Sequence, residues 1–394
     1  MRRLFVLTSQ PPLPSWGTSM TFWRHLVERN SFDIMVATDS NLIDQYDVPY
    51  DPIRLKPPKV WKRLCHSRLS PWCNGFQNLY GSRLLGPNFI NRVSEFSPDA
   101  VLTVAGSWDY TALTAKRVSN QLGIPLVSSF NDWFDYGSFL SHESFRPKVE
   151  ARFRKFYCQS DLALCTSDGM MEALGTHSNS LILYPTGAKR EEQDNYQPIQ
   201  HDSDRPLRVL FAGSLGDWYG PMMESLVTEC QKQSLPVEFR IYGTLQTWSS
   251  SFDDWAKING VYLGRIPFEE LREKSKWADL LILPMGFDKS CSHIEKTSFK
   301  TKFLDYLAFR RPIFIWGPEY CSAVRIAREF DSAECHMSES ASECAASLGV
   351  MANAPERREI LIRNANKMYE DRFHPDIIHQ NLVDHFDETV EASR

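Results

Sequence analysis

The sequence predicts an α/β protein made of two doubly wound, Rossmann-like domains, and three observations carry the prediction. At 394 residues the chain is too long for one ordinary core, since a domain takes ~150 residues. Short runs that are apolar throughout alternate with amphipathic stretches, the pattern of a parallel sheet covered on both faces. One polar, charged stretch, 188–206, separates two such series. The expected domains are therefore 1–190 and 206–372, with 373–394 a C-terminal helix that crosses back to the first domain.

In the first series the predicted strands are 4–8, 32–38, 100–105, 125–129, 162–166 and 181–184, with helices at 19–28, 109–122, 147–158 and 168–174 between them. The linker contains Glu191, Glu192, Asp194, Asp202 and Asp204. The second series has predicted strands at 209–212, 238–242, 261–263, 280–283 and 313–316, with helices at 222–233, 268–277, 298–309 and 323–330. The tail reads as two helices broken near Pro375. Two such halves should form a cleft at the carboxyl ends of their sheets, where α/β proteins bind ligands.

Composition narrows the function classes. The chain is 42% hydrophobic and 24% charged, too apolar for disorder and without a run that could cross a membrane. Forty-four Lys+Arg against 49 Asp+Glu argue against a dedicated nucleic-acid binder. One local imbalance stands out: residues 54–92 hold eight Lys/Arg and no Asp or Glu, leaving −13 for the rest. The nine cysteines form no Cys-x-x-Cys pair, which predicts reduced thiols and no zinc site. The apolar run at 4–7 is too short for a signal peptide. A cytoplasmic protein is expected, with peripheral contact at the inner membrane face left open.

Four segments could carry chemistry. Gly17, with Thr18 and Ser19, opens a helix after the first strand, where backbone can approach a ligand. Asn131 and Asp132 follow a buried strand and could hydrogen-bond sugar hydroxyls, with Trp133 as a stacking face. Gly213 and Ser214 end the first strand of the second half, where backbone amides suit phosphate oxygens. Thr297, Ser298, Lys300, Thr301, Lys302 and Asp305 cluster at a predicted helix start. Hydroxyls, ammonium groups and a helix N-terminus together suit a diphosphate, and Asp305 could take a ribose diol. Asp202 and Asp204 sit in the linker and are a weak metal candidate. His25 is a conceivable general base, and His142 and Glu143 could touch an acceptor.

The run from Ser298 through Lys302, Asp305, Tyr306 and Ala308 to Pro312 resembles the donor-binding signature of GT-B glycosyltransferases, particularly glycosyltransferase family four: Pro-x-Lys-x-x-Glu-Tyr-x-Ala-x-Gly-x-Pro-Val. Other blocks match in order: Gly123-Ile-Pro125 through Asn131-Asp132, Ser160-Asp161 through Ser167, Tyr184-Pro185-Thr-Gly187, Leu210-Phe-Ala-Gly213, and Trp277-Ala278-Asp279 through Pro284. The resemblance spans residues 4 to about 317. It implies a GT-B fold and a retaining, metal-independent transfer of sugar from a nucleotide-sugar, such as a UDP- or GDP-sugar, to a saccharide, lipid-linked or metabolite acceptor. No further cofactor is implied. Asp305 would bind ribose; Gly17, Gly213, Ser214, Thr297, Ser298 and Lys302 would bind the donor; Asn131, Asp132, Glu295 and Lys302 would carry catalysis.

The sequence departs from that pattern at charged positions. Ser214 and Tyr219 stand where the family carries an Arg and a Lys, so Lys300, Lys302, Arg265 or Lys289 would have to replace them. Asn131 replaces the usual His. Thr297 replaces the first Glu of a pair, with Glu295 two residues away. The alternatives are a catalytically degenerate GT-B protein that binds a glycan or partner, and a GT-B sugar-nucleotide epimerase. The basic stretch 54–92, interleaved with Trp61, Trp72, Phe76 and Tyr80, suits an anionic membrane or a lipid-linked acceptor.

Overall fold

The computed structural model describes residues 2–15, 17–55, 63–64, 67–82, 86–105, 110–135, 140–190 and 205–394. The chain divides into two compact units: unit 1 is Met1–Thr186 with Thr297–Phe299 and Asp376–Arg394, and unit 2 is Gly187–Lys296 with Lys300–Pro375. The proposed linker lies mostly outside the described residues, including Asp202 and Asp204. Its first residues, 188–190, are anchored within unit 2 instead. The Ala188 amide donates to Asp305 Oδ1 at 2.9 Å, and Arg190 donates to the Leu307 carbonyl and Asn366.

Unit 1 holds a seven-stranded sheet, in the order β3-β2-β1-β4-β5-β6-β7. The strands are β1 (Arg2–Leu7), β2 (Phe32–Thr38), β3 (Ile53–Arg54), β4 (Ala100–Val104), β5 (Leu126–Phe130), β6 (Leu162–Cys165) and β7 (Ser180–Ile182). Every pairing is parallel. Residues of β4, β5 and β6 are buried on both faces, which is why they read as unbroken apolar runs. The helices are α1 (Gly17–Leu26), α2 (Ser70–Tyr80), α3 (Pro87–Phe96), α4 (Tyr110–Leu122), α5 (Arg146–Cys158) and α6 (Asp168–Leu174). A proline sits in the first turn of α2, α3 and α5, where its missing N–H costs nothing. Ser167 caps α6 by accepting from the Met170 amide at 3.0 Å.

Unit 2 has a five-stranded sheet: β8 (Leu207–Ser214), β9 (Val237–Thr244), β10 (Leu280–Pro284), β11 (Ile313–Trp316) and β12 (Glu334–His336). The order β12-β11-β10-β8-β9 is again all parallel. Its helices are α7 (Tyr219–Lys232), α8 (Ser250–Ile258), α9 (Phe268–Ser275), α10 (Ser292–Thr297), α11 (Thr301–Ala308), α12 (Ser322–Glu329), α13 (Ala341–Ala352) and α14 (Pro355–Met368). The last helix, α15 (Pro375–Ala392), belongs to unit 1 from Asp376 onward. Strand order reverses between β1 and β4 in unit 1 and between β8 and β10 in unit 2. Each reversal is a topological switch point, where ligands bind at the strands' carboxyl ends.

Two predicted elements differ. Residues 261–263 form an isolated bridge, Ile241↔Tyr262, rather than a strand. Gly260 and Gly264 flank it at φ +68° and +75° and turn the chain at both ends. The helix predicted at 298–309 begins instead at Thr301, with Lys300 as a cap residue whose side chain makes no capping bond. Thr297 and Ser298 are engaged elsewhere. The Thr297 carbonyl accepts from Ser167 Oγ at 2.6 Å, and Ser298 Oγ donates to Asp132 Oδ1 at 2.8 Å. The eight described cysteines are free thiols, and no described helix is long and apolar enough to cross a membrane.

Candidate functional site

The predicted residues gather into two groups, one in each unit. In unit 2 the first is built at the end of β8, beside the switch point. Gly213 takes φ +149°, a backbone region that favours glycine. A Cβ at Gly213 would collide with Lys302 Cε and Nζ, so the lysine tip lies directly on the glycine backbone. The lysine is aimed there by α11. Tyr306, one turn after Lys302 and so on the same helical face, accepts from the Ala212 amide at 3.0 Å through its buried hydroxyl. That bond ties α11 to the end of β8.

The Lys302 amine rests 4.7 Å from the Phe211 ring centre and 4.9 Å from that of Tyr219. Among the described residues no acceptor takes a hydrogen bond from it. Burial, and then the Lys300 charge, lower its pKa to about 7 against weaker opposing pulls from Glu295 and Asp305. Lys300 is paired with the fully buried Glu295 at 3.1 Å. Glu295 Oε1 also accepts from the Gly286 amide at 3.1 Å, just beyond β10. Lys300 lies 5.9 Å from the Trp218 ring and 6.0 Å from that of Tyr219. Two lysines and three aromatic side chains, Phe211, Trp218 and Tyr219, thus gather at the strand end. Ser214 is exposed, and its hydroxyl accepts from the Gly216 amide at 3.2 Å. Arg265 and Lys289 lie on the exposed surface.

The second group is in unit 1. Asn131, just after β5, is held by two hydroxyls: Ser129 Oγ donates to its Oδ1, and its Nδ2 donates to Thr18 Oγ1 at 3.0 Å. Gly17 begins α1 at φ +57° and is exposed. Asp132 receives the Ser298 hydroxyl, so the residues 297–299 that unit 1 takes from the later part of the chain sit on the 131–132 loop. Trp133 is buried in the core rather than presented as a stacking face. His25 is no solvent-facing base: it is fully buried, with Nε2 on Thr186 Oγ1 at 2.8 Å and Nδ1 on His379 Nδ1 at 3.3 Å. Burial, and then the His379 and arginine charges, lower its pKa to about 3.

The sequence reading missed the parts that do the aiming. The four-residue spacing of Tyr306 from Lys302 puts both on one helix face in the sequence, but its bond to Ala212 shows only in the fold. Phe211 and Tyr219 read as core and departure. Only the fold shows them as the ring faces under an amine.

No known family model matches the chain, and no curated protein matches it by sequence. Similar solved structures are numerous. Anabaena Alr3699/HepE in complex with UDP and glucose aligns over 98% of this chain and 100% of its own, at 12% identity and TM-score 0.65. A glycosyltransferase from Rickettsia africae aligns over 99% and 98%, at 11% identity and TM-score 0.66. Acinetobacter baumannii MurG aligns over 98% and 100%, at 11% identity and TM-score 0.55. At such low identity the likeness concerns architecture, and the architecture of this chain is the GT-B fold: two Rossmann-like domains, each wound around a parallel sheet.

Proposed function

We propose that the protein is a glycosyltransferase that takes its sugar from a nucleotide-sugar and passes it to a saccharide, lipid-linked or metabolite acceptor, by a retaining, metal-independent route. One observation carries the reading: the Lys302 amine lies on the Gly213 backbone at the carboxyl end of β8, beside the switch point. It supplies a cation to this strand end, where Ser214 and Tyr219 supply none. HepE, crystallised with UDP and glucose, gives the proposed donor class its support.

In this reading the donor diphosphate meets the Gly213 and Ser214 backbone and the Lys302 ammonium, with Lys300 and Glu295 alongside. Departure of the nucleoside diphosphate is assisted electrostatically, by fixed charges and dipoles in a water-poor site. A carboxylate offers about four acceptor positions, so the Ala188 amide does not exhaust Asp305 as the ribose partner. Asn131, Asp132, Thr297, Ser298 and Gly17 are the proposed sugar- and acceptor-contacting groups.

A binding-only GT-B protein is the second reading, favoured by the ion pair that already engages Lys300. Transfer or hydrolysis with a panel of nucleotide-sugars separates the two: nucleotide binding without turnover of any donor would select the second. An epimerized sugar nucleotide as product would point to the epimerase. For the site itself, nucleoside diphosphate affinity is measured in wild type, Lys302→Ala and Asp305→Ala. Loss of a charged partner should cost about 1.5–3 kcal/mol, and equal affinity in all three would remove the site assignment.

A further inference from the structure

Helix α2 is apolar on both sides, and its outer side is only partly covered: Trp72 stacks on His142 at 4.4 Å, and Trp72 and Phe76 meet the Phe145 ring at 5.5 and 5.7 Å. Its inner side, Cys73, Gly75 and Leu79, is buried, with Gly75 lying against the Phe145 ring. Its outer side carries Trp72, Phe76 and Tyr80, preceded by Leu69. Their exposures are 46, 54, 68 and 55%, respectively. Steps of three and four residues place these side chains in one stripe. Leu140 adds to the patch at 68% exposure, held beside the helix by Asn74 Nδ2, which donates to its carbonyl at 3.2 Å. Contiguous exposed apolar surface of this kind marks an interaction site.

The charge around the stripe identifies the partner. α2 itself contains no Lys, Arg, Asp or Glu, and Arg63 and Arg68, which precede it, are exposed. The two acidic side chains of the adjoining 135–146 segment, Asp135 and Glu143, are both turned onto Arg146, which offsets one of their two charges. The whole of 54–92 is cationic by eight residues in a protein of net charge −5. Arg54 and Arg92 of that stretch pair with Asp44 and Asp51. A Trp–Phe–Tyr stripe preceded by the exposed Arg63 and Arg68 matches the boundary between headgroups and acyl chains, where amphipathic rings sit at the surface and cations meet anionic lipid.

We propose that the outer face of α2, with Leu69 and Leu140, is a docking surface for an anionic lipid bilayer. It lies wholly in unit 1 and does not depend on the Lys302 site. Co-sedimentation with vesicles of phosphatidylcholine alone, or mixed with phosphatidylglycerol, tests it. Wild type should pellet with the anionic vesicles, and salt should weaken the binding. Phe76→Ser/Tyr80→Ser should lose about tenfold or more in partitioning while its melting temperature and nucleotide affinity stay unchanged. Arg63→Glu/Arg68→Glu should reduce anionic-vesicle binding only. No pelleting of wild type at low salt, or equal pelleting of wild type and the aromatic variant, overturns the proposal. So does a wild-type dimer that the aromatic variant turns into a monomer, because the stripe would then be a contact between two copies.

Discussion

Each unit desolvates basic side chains, the pair His25 and His379 in unit 1 and the half-buried Lys302 in unit 2, and holds them in opposite ways. In unit 1, both nitrogens of His25 and both of His379 have partners: Thr186, Ser31 and each other. In unit 2 the Lys302 amine meets two ring faces and a glycine. Burial lowers the pKa of all three groups, to about 3, 4 and 7. The Nδ1–Nδ1 contact leaves no room for a proton on both rings at that position, and burial favours the neutral rings, which makes them part of the packing that joins α1, Thr186 and α15. Among the described residues no acceptor takes a hydrogen bond from the lysine, which is what the proposed role at a diphosphate requires. A buried group with every donor and acceptor used reads as structure, whereas one that is desolvated and left without an acceptor is a candidate for a site.

The largest expected effect tests the histidine half. A folded-state pKa below the ordinary 6.5 means that the unfolded chain binds protons first. The stabilisation is therefore complete above pH 6.5 and is lost as the pH falls toward 4 and 3. Each histidine can contribute 1.36 kcal/mol per pH unit, so two histidines lose at most about 4 kcal/mol between pH 6.5 and 5, before most carboxylates titrate. Urea unfolding across that range measures it. Unchanged stability would mean that the pair opens locally or is not neutral. The lysine should behave in reverse. Lys302→Met removes a desolvated cation, so stability at pH 7 should not fall, while nucleoside diphosphate affinity drops by about tenfold or more, the equivalent of 1.4 kcal/mol upward. A variant that melts earlier but binds normally would make Lys302 a structural residue.

The contrast also marks what could be read from sequence. The two sheets were legible because buried parallel strands such as 100–104 and 280–284 are apolar throughout, and Gly213 and Lys302 were legible as a strand-end glycine and a helix-start cation. Their meeting was not, because they lie 89 positions apart in the chain and are brought together by tertiary contacts such as the Tyr306–Ala212 hydrogen bond. The hydroxyls of Thr297 and Ser298 were misplaced as helix caps for a related reason. Their preference for local backbone is real, but Ser298 found Asp132, which sequence spacing cannot reveal. His25 could be read as a general base from sequence because its partners, Thr186 and His379, come from far along the chain.

Lys302 should change its protonation when an anion binds. With a pKa of about 7 in the free protein, the amine is largely neutral at pH 8. A bound diphosphate favours the ammonium and raises that value. Binding at pH 8 should therefore take up close to one proton, and affinity should fall by up to about tenfold per pH unit above 7. Calorimetry in two buffers of different ionisation enthalpy reads the uptake directly. Buffer-independent heats would show that the lysine is already charged, or is not at the diphosphate.

The smallest effect isolates the cause of the low lysine pKa. After burial, the Lys300 charge is the main influence that lowers it. Lys300→Gln keeps a hydrogen-bond donor for Glu295 and removes that charge, so the Lys302 midpoint should rise, by on the order of one unit or less. Absolute affinity is the wrong readout, because Lys300 can also attract the diphosphate. The right one is the pH above which affinity begins to fall, which should move upward in Lys300→Gln and vanish in Lys302→Met. If Lys300→Gln leaves that pH where it was, desolvation alone sets it. The enclosed lysine would then owe its low pKa mainly to burial, as the two histidines do, and only its missing acceptor would separate the two regions.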